Sequence, residues 1–230
     1  MKTVTWLSPQ DAPEWFPPLE QALDEPPGLL AAGGDLSPQR LLAAYQRGIF
    51  PWYSPGQPVL WWSPDPRAVL FPEEFNCTRS LAKTIRNGGF EVMVDRDFAA
   101  IIDACAAPRP HAPGTWITSE MRNAYLRLHR LGQAHSIESW RAGKLAGGLY
   151  GVRLGGVFFG ESMFSRERDA SKVALAHLVA VCLRNSIAVI DCQLPSPHLA
   201  SLGSRTIPRL QFQALLREHV SLGALPLHTS

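Results

Sequence analysis

The sequence predicts an α+β protein: a small N-terminal α/β domain over residues 1–90, then a domain over 91–230 with a mixed sheet flanked by helices. Three observations carry this. Two apolar runs, Leu145–Val152 and Val157–Phe159, flank Leu154-Gly155-Gly156, which signals a β-hairpin. From Ala170 to Asn185, the residues Leu175, Leu178, Val179 and Cys182 recur at helical spacing. A β-branched run, Ile187–Ile190, then stops on Asp191-Cys192-Gln193. The order is strand, strand, helix, strand. Glu161, Ser162, Asp191 and Gln193 fall just past the apolar parts of the strands. Strand ends are where a sheet covered by helices gathers its ligands.

The bulk composition narrows the classes. With 46% hydrophobic and 18% charged residues the chain is an ordinary globule, neither disordered nor fibrous. A net charge of +2 gives no general affinity for nucleic acid, so such a partner needs a local basic face. The 4 cysteines, Cys77, Cys105, Cys182 and Cys192, form no C-x-x-C pair and read as reduced thiols of a cytoplasmic protein. No apolar run is long enough to span a membrane, and the N-terminus lacks the pattern of a secretion signal.

In order along the chain, residues 1 to 34 are rich in Pro and Gly and predict an irregular packed arm. Ser37 is a good N-cap and Pro38 suits the first helical position; Leu41, Leu42 and Tyr45 form the apolar stripe, and Gly48 ends the helix. The next stretch holds Trp52, Trp61 and Trp62 among prolines, which keep all three from joining one regular element. Most of these rings read as a mini-core. Trp52 reads as a rigid stacking surface, since a nucleotide base stacks on such a ring at about 1–3 kcal/mol. Ala68–Phe71 is a strand, and Thr78 caps a helix on which Arg79, Lys83 and Arg86 share one face. That face is either a solvated stripe or a contact for phosphates. Phe90–Val94 is a strand and Asp97–Ala107 a helix, with Phe98, Ile101, Ile102 and Cys105 facing inward. Pro108–Gly114 is a loop. Thr118 or Ser119 caps a helix through Leu131, and Ala134–Trp140 alternates like a strand. After the central hairpin, helix and strand, Pro197–Leu202 and Pro208–Val220 are helices.

Several chemistries lack their motif. There is no G-x-S-x-G nucleophile elbow, no H-E-x-x-H, no Walker loop and no G-x-G-x-x-G. Glu161 and Asp191 remain. About half of such strand-end carboxylates are no more than caps or buried acceptors. Their company favours a site: hairpin, helix and strand, with a polar knot at Ser165–Asp169, resembles the core of the acetyltransferase-like (GNAT) superfamily. That superfamily transfers acyl groups to amines in a cleft between splayed strands. Its glycine-rich turn for coenzyme A is absent here, where the helix begins Ser165-Arg166-Glu167-Arg168-Asp169.

Longer stretches are more specific: GLLAAGGDLSPQRLLAAYQRGIFPWYSPG, WWSPDPRAVLFP, GTWIT, AHSIESW, GGLYGV, FFGESMFSR, ASKVAL, IDCQ and ASLGSRTIPR. Running from residue 28 to 209, they resemble the leucyl/phenylalanyl-tRNA–protein transferases. The resemblance implies a cytoplasmic, monomeric aminoacyltransferase with an acetyltransferase-like C-terminal domain and no cofactor or metal. Its partners would be tRNA charged with Leu or Phe, less readily Met, and proteins with N-terminal Arg or Lys. Its product would be marked for N-end-rule degradation. The resemblance implies that Asp191 and Gln193 orient and deprotonate the acceptor amine. Glu161 would hold the donor end or the amine. Trp52 and Trp116 would grip the terminal adenosine. Met163, Leu149 and Ile190, beside Ser162, would line the pocket for the donor side chain. The family often has Met where this chain has Leu149, which leaves the pocket's width open. Arg79, Lys83 and Arg86 match its tRNA-facing surface. The rival classes are an amine acyltransferase with another donor and a non-catalytic tRNA-binding module.

Overall fold

A computed structural model describes residues 2–108 and 115–220. In chain order the elements are β1 Thr5–Leu7, β2 Leu29–Gly33, α1 Pro38–Gln46, β3 Phe50–Pro51, β4 Leu60–Trp62 and β5 Arg67–Leu70. There follow α2 Arg79–Asn87, β6 Glu91–Val94, α3 Phe98–Ala106, α4 Ser119–Arg130, β7 Ala134–Arg141, β8 Lys144–Leu154 and β9 Val157–Ser165. The chain then runs through α5 Ala170–Arg184, β10 Val189–Gln193, α6 Pro197–Ala200, β11 Arg205–Ile207 and α7 Arg209–His219. The loop expected over Pro108–Gly114 lies, apart from Pro108, outside the described residues.

The caps form as the sequence predicts. Ser37, Thr78, Asp97 and Thr118 each accept the backbone N–H three residues on, which satisfies one of the free donors at a helix start. Of the two candidates before α4, Thr118 is the cap. Leu154 faces Val157 across a two-residue turn, and Gly155 takes the positive φ of 57° that such a turn requires.

Two sheets result, one ordered β1-β2-β4-β3 and the other β11-β5-β10-β9-β8-β7-β6. The small sheet corrects the expectation of an irregular arm: β1 pairs parallel to β2, and β2 antiparallel to β4. β2 reads Leu-Leu-Ala-Ala-Gly, every residue buried, so it has no polar alternation to announce it. Trp61 sits in β4 and is the closure of this small core: its indole N–H donates to the Gly33 carbonyl at 2.9 Å and its ring meets Phe16 edge-on. The sheets divide the chain between Trp62 and Arg67, because β5 pairs with β10 and β11.

β8 lies inside the large sheet between β9 and β7, with residues 145–154 all buried. Both faces are covered. Tyr150, Val152 and Phe159 face Ile101, Met121 and Tyr125 of α3 and α4. Leu149, Phe158 and Ile190 face Leu175 and Leu178 of α5. The expected hairpin–helix–strand order is present, and β10 returns parallel to β9. Their pairing covers only Val189–Asp191 against Val157–Phe159. Beyond it the two strands part, and the opening is where the polar strand ends lie. Among the described residues no helix is long and apolar enough to cross a membrane.

Candidate active site

Two irregularities of register build the site. Tyr150 faces Ser162 and Gly151 faces Gly160, so Glu161 is one residue too many and stands on a bulge. Asp191 faces Val69 and Gln193 faces Ala68, so Cys192 is the extra residue on β10. Gln193 there adopts φ 59°, in the left-handed region. Bulges bend a strand and re-aim its side chains. Here they bring the Gln193 amide N–H to Glu161 Oε1 at 3.0 Å across the parting strands.

Glu161 is held by two tyrosines from different helices. Tyr45 of α1 donates to Oε1 at 2.7 Å and Tyr125 of α4 to Oε2 at 2.7 Å, and the two hydroxyls are 2.5 Å apart. Burial lifts the Glu161 carboxyl to about 7, aided by the charge of Asp191 and opposed by the two tyrosines and Arg67. Burial also raises both phenols well above their usual range, and the Glu161 charge adds to it.

Asp191 has different surroundings. It is fully buried, and Arg67 of β5 meets it with two parallel bonds, Nε to Oδ1 at 2.8 Å and Nη2 to Oδ2 at 2.6 Å. The guanidinium also donates to the Gly48 carbonyl at 3.0 Å and lies over the rings of Phe50 and Phe212. Asp191 Oδ1 further accepts the backbone N–H of Gln193 at 3.0 Å. Both carboxylate oxygens are therefore engaged, and one of them fixes the left-handed turn at Gln193.

Two cavities open from this cluster. One, of about 130 Å³, has a floor of Leu149, Met163, Leu175, Leu178, Ile190 and Leu199, with Glu161, Ser162, Asp191, Cys192 and Gln193 at its polar side. The other, of about 250 Å³, is walled by Phe50, Pro51, Trp52, Trp116 and Leu194. They share Glu161, Cys192 and Gln193. Trp52 is 42% exposed, and the Trp62 indole braces it by donating to its carbonyl at 2.7 Å. Burial keeps the Cys192 thiol far above its usual range, so it stays protonated and unreactive. A larger cavity, of about 810 Å³ between Asp35, Tyr53, Gln57, Glu120 and Arg127, shares no residue with these two.

All nine residues expected at the reaction centre thus converge: Glu161, Ser162, Asp191 and Gln193 with Leu149, Met163 and Ile190 in one cavity, Trp52 and Trp116 in the other. Arg79, Lys83 and Arg86 stand apart, exposed on α2 and in no ion pair among the described residues. Lys83 lines a recess of about 420 Å³ together with Arg141, Arg168 and Asp169. Three residues of the cluster were not foreseen. Tyr45 reads as part of an apolar stripe, Tyr125 as one more residue of α4, and Arg67 as the end of a proline-rich run. Among the described residues no three His, Cys, Asp or Glu side chains group as a metal site would.

The sequence model of the leucyl/phenylalanyl-tRNA protein transferases matches residues 69–217. The chain belongs to the leucyl/phenylalanyl-tRNA–protein transferase family. The model of that family's N-terminal domain matches residues 34–65. The leucyl/phenylalanyl-tRNA–protein transferase of Stutzerimonas stutzeri (strain A1501) is 57% identical over 94% of this chain and 95% of its own. That of Azoarcus sp. (strain BH72) is 58% identical over 97% and 94%, and that of Chromohalobacter salexigens 61% identical over 90% and 80%. Membership of this transferase family makes the chain an enzyme. Solved structures are remote. A GCN5-related N-acetyltransferase from Kribbella flavida is 10% identical over 74% of this chain and 60% of its own, with a TM-score of 0.38. L-PGS from Bacillus licheniformis is 10% identical over 82% and 60%, with a TM-score of 0.39. Likeness at that level does not bear on the reaction.

Proposed function

We propose that this enzyme moves leucyl or phenylalanyl, and less readily methionyl, groups from charged tRNA to the α-amine of proteins that begin with Arg or Lys. The product would enter N-end-rule degradation in the cytoplasm, and the enzyme would act as a monomer. The observation that carries this is the pair of cavities, one apolar and one walled by tryptophans, that meet at Glu161 and Gln193. An aminoacyl-adenosine has that shape: a side chain, a base, and a reactive ester between them.

In this reading Leu149, Met163 and Ile190 receive the donor side chain, and Trp52 and Trp116 hold the adenine. An apolar pocket separates side chains by roughly 1–3 kcal/mol per methylene, which fits a Leu and Phe preference with leakage to Met. The ester is already activated, so the chemistry needs position and a path for one proton. Holding ester and amine together supplies several kcal/mol, within the roughly 7–11 kcal/mol that good orientation can give. Gln193 orients the amine. Asp191 acts on it through Gln193, since Arg67 occupies both of its oxygens. With Asp191 paired to Arg67, Glu161 in its ionised form is the acidic group that meets the cationic N-terminus. Arg79, Lys83 and Arg86, continued by Arg141 and Arg168 at the recess, face the tRNA backbone.

Incubation with radiolabelled Leu-tRNA and an Arg-initiated peptide tests this. Label should appear on the peptide and depend on the tRNA ester. Transfer only from a different acyl donor, or tRNA binding with no transfer, would overturn it. Trp116→Ala should weaken an aminoacyl-adenosine fragment about 10-fold or more, as loss of one stacked base implies; equal affinity would remove Trp116 from the adenosine site.

A further inference from the structure

We infer that Glu161, Tyr45 and Tyr125 form a proton-carrying ring that takes a proton from the attacking nitrogen and returns it to the leaving ribose oxygen. The ring is visible as a closed loop of oxygens. Tyr45 Oη lies 2.7 Å from Glu161 Oε1 and 2.5 Å from Tyr125 Oη, which lies 2.7 Å from Glu161 Oε2. Each hydrogen bond between two oxygens needs one proton. With Glu161 ionised there are two protons, one on each hydroxyl, for three contacts. Both hydroxyls then donate to the carboxylate, and the contact between them holds no hydrogen. With Glu161 protonated, three protons serve three contacts. The acid donates from Oε2 to Tyr125, Tyr125 donates to Tyr45, and Tyr45 donates to Oε1. Gln193 donates to Oε1 in both states.

The two states differ by one proton, and passing between them turns the Tyr125 O–H from Glu161 Oε2 to Tyr45 Oη. A site that changes its charge with little more than a hydroxyl rotation suits proton transfer. The other groups around it leave the proton on Glu161. On β10 the Asp191 charge is met by Arg67 of β5. On β8 the hydroxyl of Tyr150 is buried, with its phenol raised well above the usual range by burial and by Glu161. The thiol of Cys192 is likewise held protonated by burial. With its own carboxyl near 7, Glu161 populates both states at neutral pH.

The step balances. A neutral α-amine attacks the ester carbonyl and the N–C bond forms. The nitrogen becomes acidic, and the Glu161 carboxylate accepts its proton as the ring closes. The C–O bond to ribose then breaks while Glu161 gives that proton to the departing oxygen. Amide and free hydroxyl result, and Glu161 is a carboxylate again. Glu161 is the catalytic residue; Tyr45 and Tyr125 are positioning residues that act through it. The shuttle rests on the aminoacyl-transfer reading, whereas the proton content of the ring does not.

Infrared difference spectra of the full chain against pH test both parts. A protonated-carboxyl band, identified by its loss in Glu161→Gln, should titrate near pH 7. In Tyr125→Phe or Tyr45→Phe the midpoint should rise, because the carboxylate loses a charge-assisted donor. The acid limb of single-turnover Leu transfer should follow the same midpoints, and Glu161→Gln should lose about 10²–10⁴-fold in rate. A midpoint unmoved in both phenylalanine variants would overturn the ring, as would wild-type protein with no such band. A Glu161→Gln enzyme transferring at the wild-type rate would overturn the shuttle. A band that titrates as expected in wild-type protein that transfers no leucine would leave the ring standing and sink the transferase reading.

Discussion

Glu161 and Asp191 are carboxylates in one cluster with opposite surroundings. Asp191 is met by a guanidinium on both oxygens; Glu161 is met by neutral hydroxyls and an amide. The folded state raises Glu161 from 4.5 to about 7, so it binds this proton more tightly than the unfolded chain does. The group therefore favours folding below pH 4.5, and that contribution is lost as pH rises through 7. Glu161→Gln should consequently be more stable than wild type by about 1–3 kcal/mol at a pH one unit above that midpoint, and the gain should shrink at a pH one unit below it. Thermal melts at the two pH values check the sign. Asp191→Asn should do the reverse, costing about 3–5 kcal/mol because Arg67 is left buried without its counter-ion. Denaturant titration measures that loss, and a variant as stable as wild type would dissolve the pair. At this scale the sequence exposes the acids, because polar residues at the ends of apolar strands are conspicuous. It hides Tyr45, Tyr125 and Arg67. A tyrosine on an apolar stripe shows its ring and conceals its hydroxyl, and Arg67 finds Asp191 across 124 residues.

The elements of the site are ordinary; their faults make it. Helices were readable because caps and stripes are local: Ser37, Thr78, Asp97 and Thr118 each close their first turn within the segment itself. Bulges are not local. Glu161 and Cys192 are extra residues only with respect to the strands opposite, and no pattern within β9 or β10 records that. The short strands β1 and β11 escaped for a related reason, since three residues are too few to show a period. The bulge on β9 depends on Gly151, whose added Cβ would lie 2.2 Å from the Phe159 carbonyl oxygen. Gly151→Ala should force the two strands apart at the bulge, costing roughly 1–3 kcal/mol as overpacking does, and should slow transfer because Glu161 is re-aimed. A thermal melt and a rate measured together check this; a stable, fully active variant would show that the bulge tolerates a shift.

At the scale of the molecule, two sheets meet around one cleft. The small sheet brings Phe50 and Trp52, the large one Glu161 and Gln193, and helices α1 and α4 the two hydroxyls. The tRNA body requires a further surface, and the exposed cations of α2 line neither of the two cavities. Reversing the charge at Arg79, Lys83 and Arg86 should weaken intact tRNA and flatten its salt dependence by about one unit of slope per lost phosphate contact. Affinity for an aminoacyl-adenosine fragment should stay the same; loss of both would mean that the variant is misfolded. The meeting of the two cavities is the central claim, and filling one of them tests it most directly. Leu149→Trp occupies the apolar cavity and leaves Trp52 and Trp116 in place. The measurement is Leu transfer from charged tRNA, alongside adenosine affinity. Transfer should vanish while adenosine still binds as in wild type. Undiminished transfer would contradict the placing of the donor side chain in this cavity.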